Sequence, residues 1–128
     1  MSETSLRRIG WLLSILVALF EIGVSALPKL AGMAAASDAM VALNWPNAPL
    51  MAIGVLEVGL AVLYLIPATA LLGAVLMMGL LGGAIATNLH ANMDMASHTL
   101  FGVYLGAAMW LGLILRDPRI RAVFPLVR

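Results

Sequence analysis

An apolar run between Pro49 and Pro67 carries a single charged residue, Glu57, near its centre. As a helix, this run is long enough to cross the hydrocarbon core of a bilayer, which is about 30 Å thick. An ionised and unpaired carboxylate at that depth costs at least about 2.5 kcal/mol, so such a side chain faces protein or water rather than lipid. We therefore expect other helices of the chain to pack around Glu57.

The composition is typical of an integral membrane protein. Of the 128 residues, 63% are hydrophobic and 10% are charged, whereas a soluble domain has about 25% charged residues. The mean hydropathy is +1.07. A net charge of +1 provides no basic surface for nucleic acid, and the absence of cysteine excludes disulfide and thiol chemistry. We expect one integral membrane domain over residues 1–128.

Prolines and polar segments divide the chain into four apolar helices. The predicted spans are residues 9–27, 49–66, 70–89 and 99–115. Pro28 should end the first span because proline lacks a helical donor, and we expect this span to stay in the membrane rather than to be cleaved as a leader. The polar segment that follows predicts a short interfacial helix, with Trp45 at headgroup depth. The predicted fold is all-α: a four-helix transmembrane bundle with a short interfacial helix after helix 1.

The positive charges predict an orientation. All basic residues except Lys29 lie before the first predicted span or after the fourth. Because cytoplasmic loops carry the excess of lysine and arginine, both ends of the chain should be cytoplasmic. We expect a protein of the bacterial inner membrane, with its first and third loops facing outward.

Two predicted spans carry a stripe of small and polar residues on one helical face. The stripes are Ser14, Ala18, Glu21 and Ser25 in the first span, and Gly54, Glu57, Ala61 and Tyr64 in the second. With the polar ends of the other spans they form a funnel that opens outward, the usual kind of place for a small-molecule site. The predicted ligand-binding residues are Glu57, Glu21, Asn88, His90, His98 and Lys29. Because Lys29 should extend toward water, we expect Glu57 to have no nearby cation and to carry its proton at neutral pH.

The segment between the third and fourth spans contains three residues that could bind a metal ion. His90, Asp94 and His98 are spaced by four residues, so a continuous helix would place them on one face as metal ligands. Neighbouring methionines would suit copper(I). The competing interpretation is a solvated loop, because the polar residues of this segment favour a turn. We predict no metal and no cofactor: the two histidines alone do not favour haem or copper, while a quinone would suit the funnel.

Four short motifs, found in the same order, resemble those of DoxX-like membrane proteins. They are residues 25–30 (Ser-Ala-Leu-Pro-Lys-Leu), Gly54 and Glu57 followed by Leu-Ile-Pro at 65–67, residues 83–89 (Gly-Ala-Ile-Ala-Thr-Asn-Leu) and residues 116–121 (Arg-Asp-Pro-Arg-Ile-Arg). The resemblance covers nearly the whole chain and implies a small four-helix bundle. It implies no single reaction, since some relatives are linked to thiosulfate:quinone oxidoreduction, others to redox-stress complexes, and a distant animal relative is a receptor chaperone.

Three functions stay open at this point. The first is binding of a small lipophilic molecule, such as a quinone, in a redox-accessory role. The second is a membrane assembly factor, complex subunit or homo-oligomer that packs on partner helices through the GxxxG pairs Gly79/Gly83 or Gly102/Gly106. The third is an enzyme that uses the buried carboxylates as acid and base on a lipophilic substrate. The identity of the ligand, turnover and the oligomeric state do not follow from the sequence.

Overall fold

The computed structural model describes residues 1–127, which form helices and no strand. The helices are α1 (Glu3–Leu30), α2 (Ala34–Ala42), α3 (Leu50–Leu65), α4 (Ala70–His90), α5 (Met95–Arg116) and α6 (Pro118–Val123). Three of them, α1, α4 and α5, are long and apolar enough to cross a membrane. This confirms the prediction of an all-α protein with membrane-spanning helices. Helix α3 is apolar but has 16 residues, so its role as a fourth span stays a prediction.

The four long helices pack side by side. Helix α1 lies along α5, α3 packs against α1 and α4, and α4 packs against α5. Their shared core lies toward the end of the bundle that carries the chain termini. It includes Val17, Ala18, Leu60, Ala61, Tyr64, Ala74, Met77, Met109 and Leu113. Large apolar side chains also cover the outside, as expected for helices that face lipid.

Helix α1 continues through Pro28, so the prediction that it ends there is wrong. Between Phe20 and Ala26 the helix is wound as a π-helix, and the N–H of Leu27 donates to the carbonyl of Ile22, five residues earlier. The wider turn accommodates the missing proline N–H and the bulk of its ring. The additional helical turn carries Lys29 toward α3 instead of toward water.

Glycines allow close contact at the packed end of the bundle. A Cβ atom added to Gly10 would lie 2.7 Å from the carbonyl oxygen of Gly112, and one added to Gly73 would lie 2.7 Å from the Cα of Tyr64. Any residue larger than glycine is therefore excluded at both positions, and the helix backbones are in contact there.

The two GxxxG pairs differ in what they contact. A Cβ atom at Gly102 would lie 2.9 Å from Ile85, and one at Gly106 would contact Met78, so this pair packs against α4 within the same chain. The expectation that Gly102 and Gly106 present a surface to a partner is therefore wrong, because α4 already covers them. Cβ atoms at Gly79 and Gly83 would meet nothing within 4 Å.

A short helix, α2, follows α1 in the segment where the sequence predicts an interfacial helix. It ends at Ala42, and Trp45 follows in a turn with 43% of its surface exposed. Its position at a membrane surface stays a prediction.

Candidate functional site

A cavity of about 620 Å³ lies in the half of the bundle away from the chain termini. Residues of α1, α3, α4 and α5 line it, together with residues of α2 and the segment after it. The lining is mainly apolar, and its polar members are Glu21, Ser25, Lys29, Glu57, Thr87, Asn88, His98 and Thr99. Five of the six predicted ligand-binding residues therefore share one cavity. The sixth, His90, is exposed and does not line it.

The two polar stripes predicted from the sequence face each other across α1 and α3. Ser14 Oγ lies 2.9 Å from the hydroxyl oxygen of Tyr64, and Ser25 Oγ donates to Glu57 Oε1 at 2.8 Å. Residue numbers that increase along α1 thus pair with residue numbers that decrease along α3, so the two helices are antiparallel. The stripe residues form the seam between these helices, and the acids lie at its cavity end.

Lys29 and Glu57 form a buried ion pair. The ammonium group of Lys29 donates to Oε1 of Glu57 at 3.1 Å and to Oε2 at 3.3 Å, and also to the carbonyl and hydroxyl oxygens of Ser25. The two side chains are only 11% and 8% exposed. The expectation that Lys29 extends to water is wrong, because the π-helical turn aims it inward. A cation therefore lies next to Glu57, which removes the reason for expecting a neutral Glu57.

Glu21 is in a different environment from Glu57. Its residue surface is 3% exposed, and its Oε2 atom is buried without a hydrogen-bond partner among the described residues. It lines the same cavity as the ion pair. Buried polar atoms are nearly always hydrogen-bonded, so Glu21 is a residue of the cavity wall whose carboxyl group lacks one of the usual partners.

Asn88 and His98 line the cavity from the end of α4 and the beginning of α5. Asn88 donates from Nδ2 to the carbonyl of Ala84 at 2.8 Å, one turn earlier in its own helix. His98 Nδ1 lies 2.7 Å from Ser97 Oγ. Both side chains are thus held by local hydrogen bonds.

The chain does not form one continuous helix across the proposed metal segment. Helix α4 ends at His90 and α5 begins at Met95, so the face that would align His90, Asp94 and His98 is not formed. Asp94 instead accepts hydrogen bonds from the N–H and the hydroxyl of Ser97, at 2.8 and 2.6 Å, and these hold the pKa of Asp94 below its ordinary value. Within residues 1–127, no three or more His, Cys, Asp or Glu side chains are grouped to hold a metal ion.

A second polar cluster lies at the packed end, and the sequence did not predict it, because Arg116 was considered only as one of the basic residues after the fourth span. Arg116 is buried, and its guanidinium carbon lies 4.3 Å from the ring centre of Trp11 and 4.6 Å from that of Tyr64. It donates to the carbonyl of Tyr64, whose hydroxyl donates to the carbonyl of Met109 at 2.7 Å. The feature of the sequence that could have indicated this cluster is Tyr64, an aromatic residue with a hydroxyl group on the small-residue face of α3.

The apolar helices and the polar seam buried between them define an integral membrane protein of the polytopic helical class. The chain belongs to the DoxX-like family, whose family model matches residues 12–112. This confirms the resemblance found in the sequence, and the matched region contains every residue that lines the cavity. Comparisons with curated proteins and with solved structures gave no match.

Proposed function

We propose that the protein takes a small lipophilic molecule into the cavity beside Glu21 and Glu57. The observation that carries this proposal is a mainly apolar cavity with a few buried polar groups and one unpartnered carboxyl oxygen. Its volume of about 620 Å³ falls in the range of small-molecule sites, about 300–1,000 Å³. A quinone is one ligand class to test. A redox-accessory role is supported by the family resemblance alone.

The proposal includes a position in the membrane. Residues 1–128 would form one domain with four spans, of which α3 is the shortest, and α2 would lie at the interface with Trp45 near the headgroups. Both ends would be cytoplasmic, in a bacterial inner membrane, because the basic residues concentrate there. The cavity would then open on the outer side.

Single cysteines test this orientation, since the chain has none of its own. In intact cells, Ser97→Cys should react with a membrane-impermeant maleimide, and Ser2→Cys should react only after the membrane is permeabilised. The reverse pattern would overturn the proposed topology.

A pair of neighbouring glycines provides a matched test of ligand binding. A Cβ at Gly83 and one at Gly82 would both meet nothing within 4 Å, but only Gly83 lines the cavity. Gly83→Leu should therefore fold normally and fill part of the cavity, whereas Gly82→Leu should leave the cavity open. If a quinone is the ligand, a short-chain ubiquinone, measured by equilibrium dialysis against protein in nanodiscs, should bind the wild type and Gly82→Leu but not Gly83→Leu.

The other two functions, assembly on a partner and catalysis, predict different results. Assembly on a partner through Gly79 and Gly83 predicts that Gly83→Leu disrupts a complex in native gels while Glu21→Gln leaves it intact. An enzyme predicts that the bound molecule is converted, which mass spectrometry of the retained ligand would detect. If native mass spectrometry finds no small molecule on the wild type, and neither the quinone nor any other lipophilic probe binds, the cavity is not a ligand site.

A further inference from the structure

The charges that line the cavity do not balance. Among the described residues, the lining contains two carboxylates, Glu21 and Glu57, and one ammonium group, Lys29. Lys29 donates to both oxygens of Glu57, so the pair neutralises itself. Within residues 1–127, the only other titratable side chain in the lining is His98, which is exposed and hydrogen-bonded to Ser97. Among these described residues Glu21 therefore has no counter-charge in the cavity wall, and a bound cation would stabilise its ionised form.

Glu57 and Glu21 also differ in their hydrogen bonds. Glu57 accepts from Lys29 and from Ser25, so its acceptor capacity is largely used within the chain. Glu21 keeps a buried oxygen without a donor. In its ionised form Glu21 is an acceptor only, so a charged donor would supply both the hydrogen bond and the counter-charge that this form lacks among the described residues.

Aromatic rings line the same cavity as Glu21. Phe20, the neighbour of Glu21 in the chain, and Phe101 have ring centres 5.1 Å apart, and both line the cavity with Trp45. Ring faces attract cations, tryptophan most strongly. An acidic side chain without a counter-charge, in a cavity that aromatic rings also line, is a combination suited to an organic cation.

We infer that the ligand of this cavity is a lipophilic amine, whose ammonium group donates to Glu21 while its apolar part occupies the space between α3, α4 and α5. This inference rests on the proposed function, because it assigns the ligand class of the same cavity. The Lys29–Glu57 ion pair then contributes no net charge to the cavity, and Glu21 is the residue that selects the charge of the ligand.

Three probes of nearly the same shape test the inference: 1-naphthylmethylamine, which is cationic at neutral pH, 1-naphthylmethanol, which is neutral, and 1-naphthoate, which is anionic. Binding is measured by equilibrium dialysis against protein in nanodiscs of zwitterionic lipid, with empty nanodiscs subtracted. We expect the amine to bind at least about tenfold more tightly than the alcohol, as a charge-assisted hydrogen bond implies. The carboxylate should bind most weakly.

Glu21→Gln should remove the difference between amine and alcohol, because the amide keeps the shape but not the charge. Glu3→Gln is the matched control: Glu3 is an exposed acid at the other end of α1, paired with Arg121, and its removal should leave the preference unchanged. Equal binding of amine and alcohol to the wild type, or a preference that survives in Glu21→Gln, would overturn the inference while leaving the cavity a ligand site. Failure of all three probes to bind the wild type would overturn the inference together with the proposed function.

Discussion

Replacing Lys29 with methionine isolates the contribution of the buried ion pair. Methionine has nearly the length of lysine but no charge, so the change leaves Glu57 with Ser25 as its remaining donor. At 3.1 Å, the attraction between unit charges is about 5 kcal/mol for an effective dielectric constant of about 20. Desolvation of the two ions offsets much of this in the intact protein. In Lys29→Met, however, the buried carboxylate keeps its desolvation cost and loses its partner.

We expect Lys29→Met to lower the free energy of unfolding by roughly 3–5 kcal/mol, the usual result of breaking a buried pair from one side. The double variant Lys29→Met with Glu57→Leu should recover most of that loss, because no unpaired charge remains. Unfolding by dodecyl sulfate in mixed micelles, followed by helical circular dichroism, measures both variants, and Arg8→Met on the exposed face of α1 serves as the control. A loss below about 1 kcal/mol in Lys29→Met, as expected for a surface pair, would show that Lys29 extends to water and would refute the geometry.

Two further predictions concern the packed end of the bundle and the loop after α4. Gly73→Ala should cost about 1–3 kcal/mol in the same unfolding assay, because the added methyl overlaps the backbone of Tyr64; Gly59→Ala, where a Cβ meets nothing within 4 Å, should instead be neutral or stabilising. Ser97→Ala should raise the pKa of Asp94 toward its ordinary value, because the hydroxyl donor is lost, and carboxyl-carbon NMR titration measures this. Since the folded pKa of Asp94 is lowered, its contribution to stability is present above the unfolded pKa and is lost as the pH falls through the folded one. An unchanged pKa in Ser97→Ala, or equal losses for the two glycine variants, would contradict these contacts.

Local information in the sequence determined the class of this protein and showed which faces of α1 and α3 are buried. Hydropathy over a window of residues identifies helices that suit a membrane, and helical periodicity places Ser14 with Glu21 and Glu57 with Tyr64 on single faces. Both properties depend on neighbours along the chain. They therefore predicted the all-α membrane protein, the buried stripes and several of the polar residues that line the cavity.

Contacts between distant segments decided the rest. Whether Lys29 reaches Glu57 depends on the π-helical turn that carries α1 past Pro28, and a proline in the sequence more often indicates the end of a helix. Likewise, the spacing of Gly102 and Gly106 is identical to that of Gly79 and Gly83, yet the first pair is covered by α4, whereas Cβ atoms at the second pair would meet nothing within 4 Å. Helix crossings and rotations, which no local pattern contains, determine which acid is neutralised and which glycine pair is covered. The unpartnered Glu21 is therefore a product of the tertiary structure.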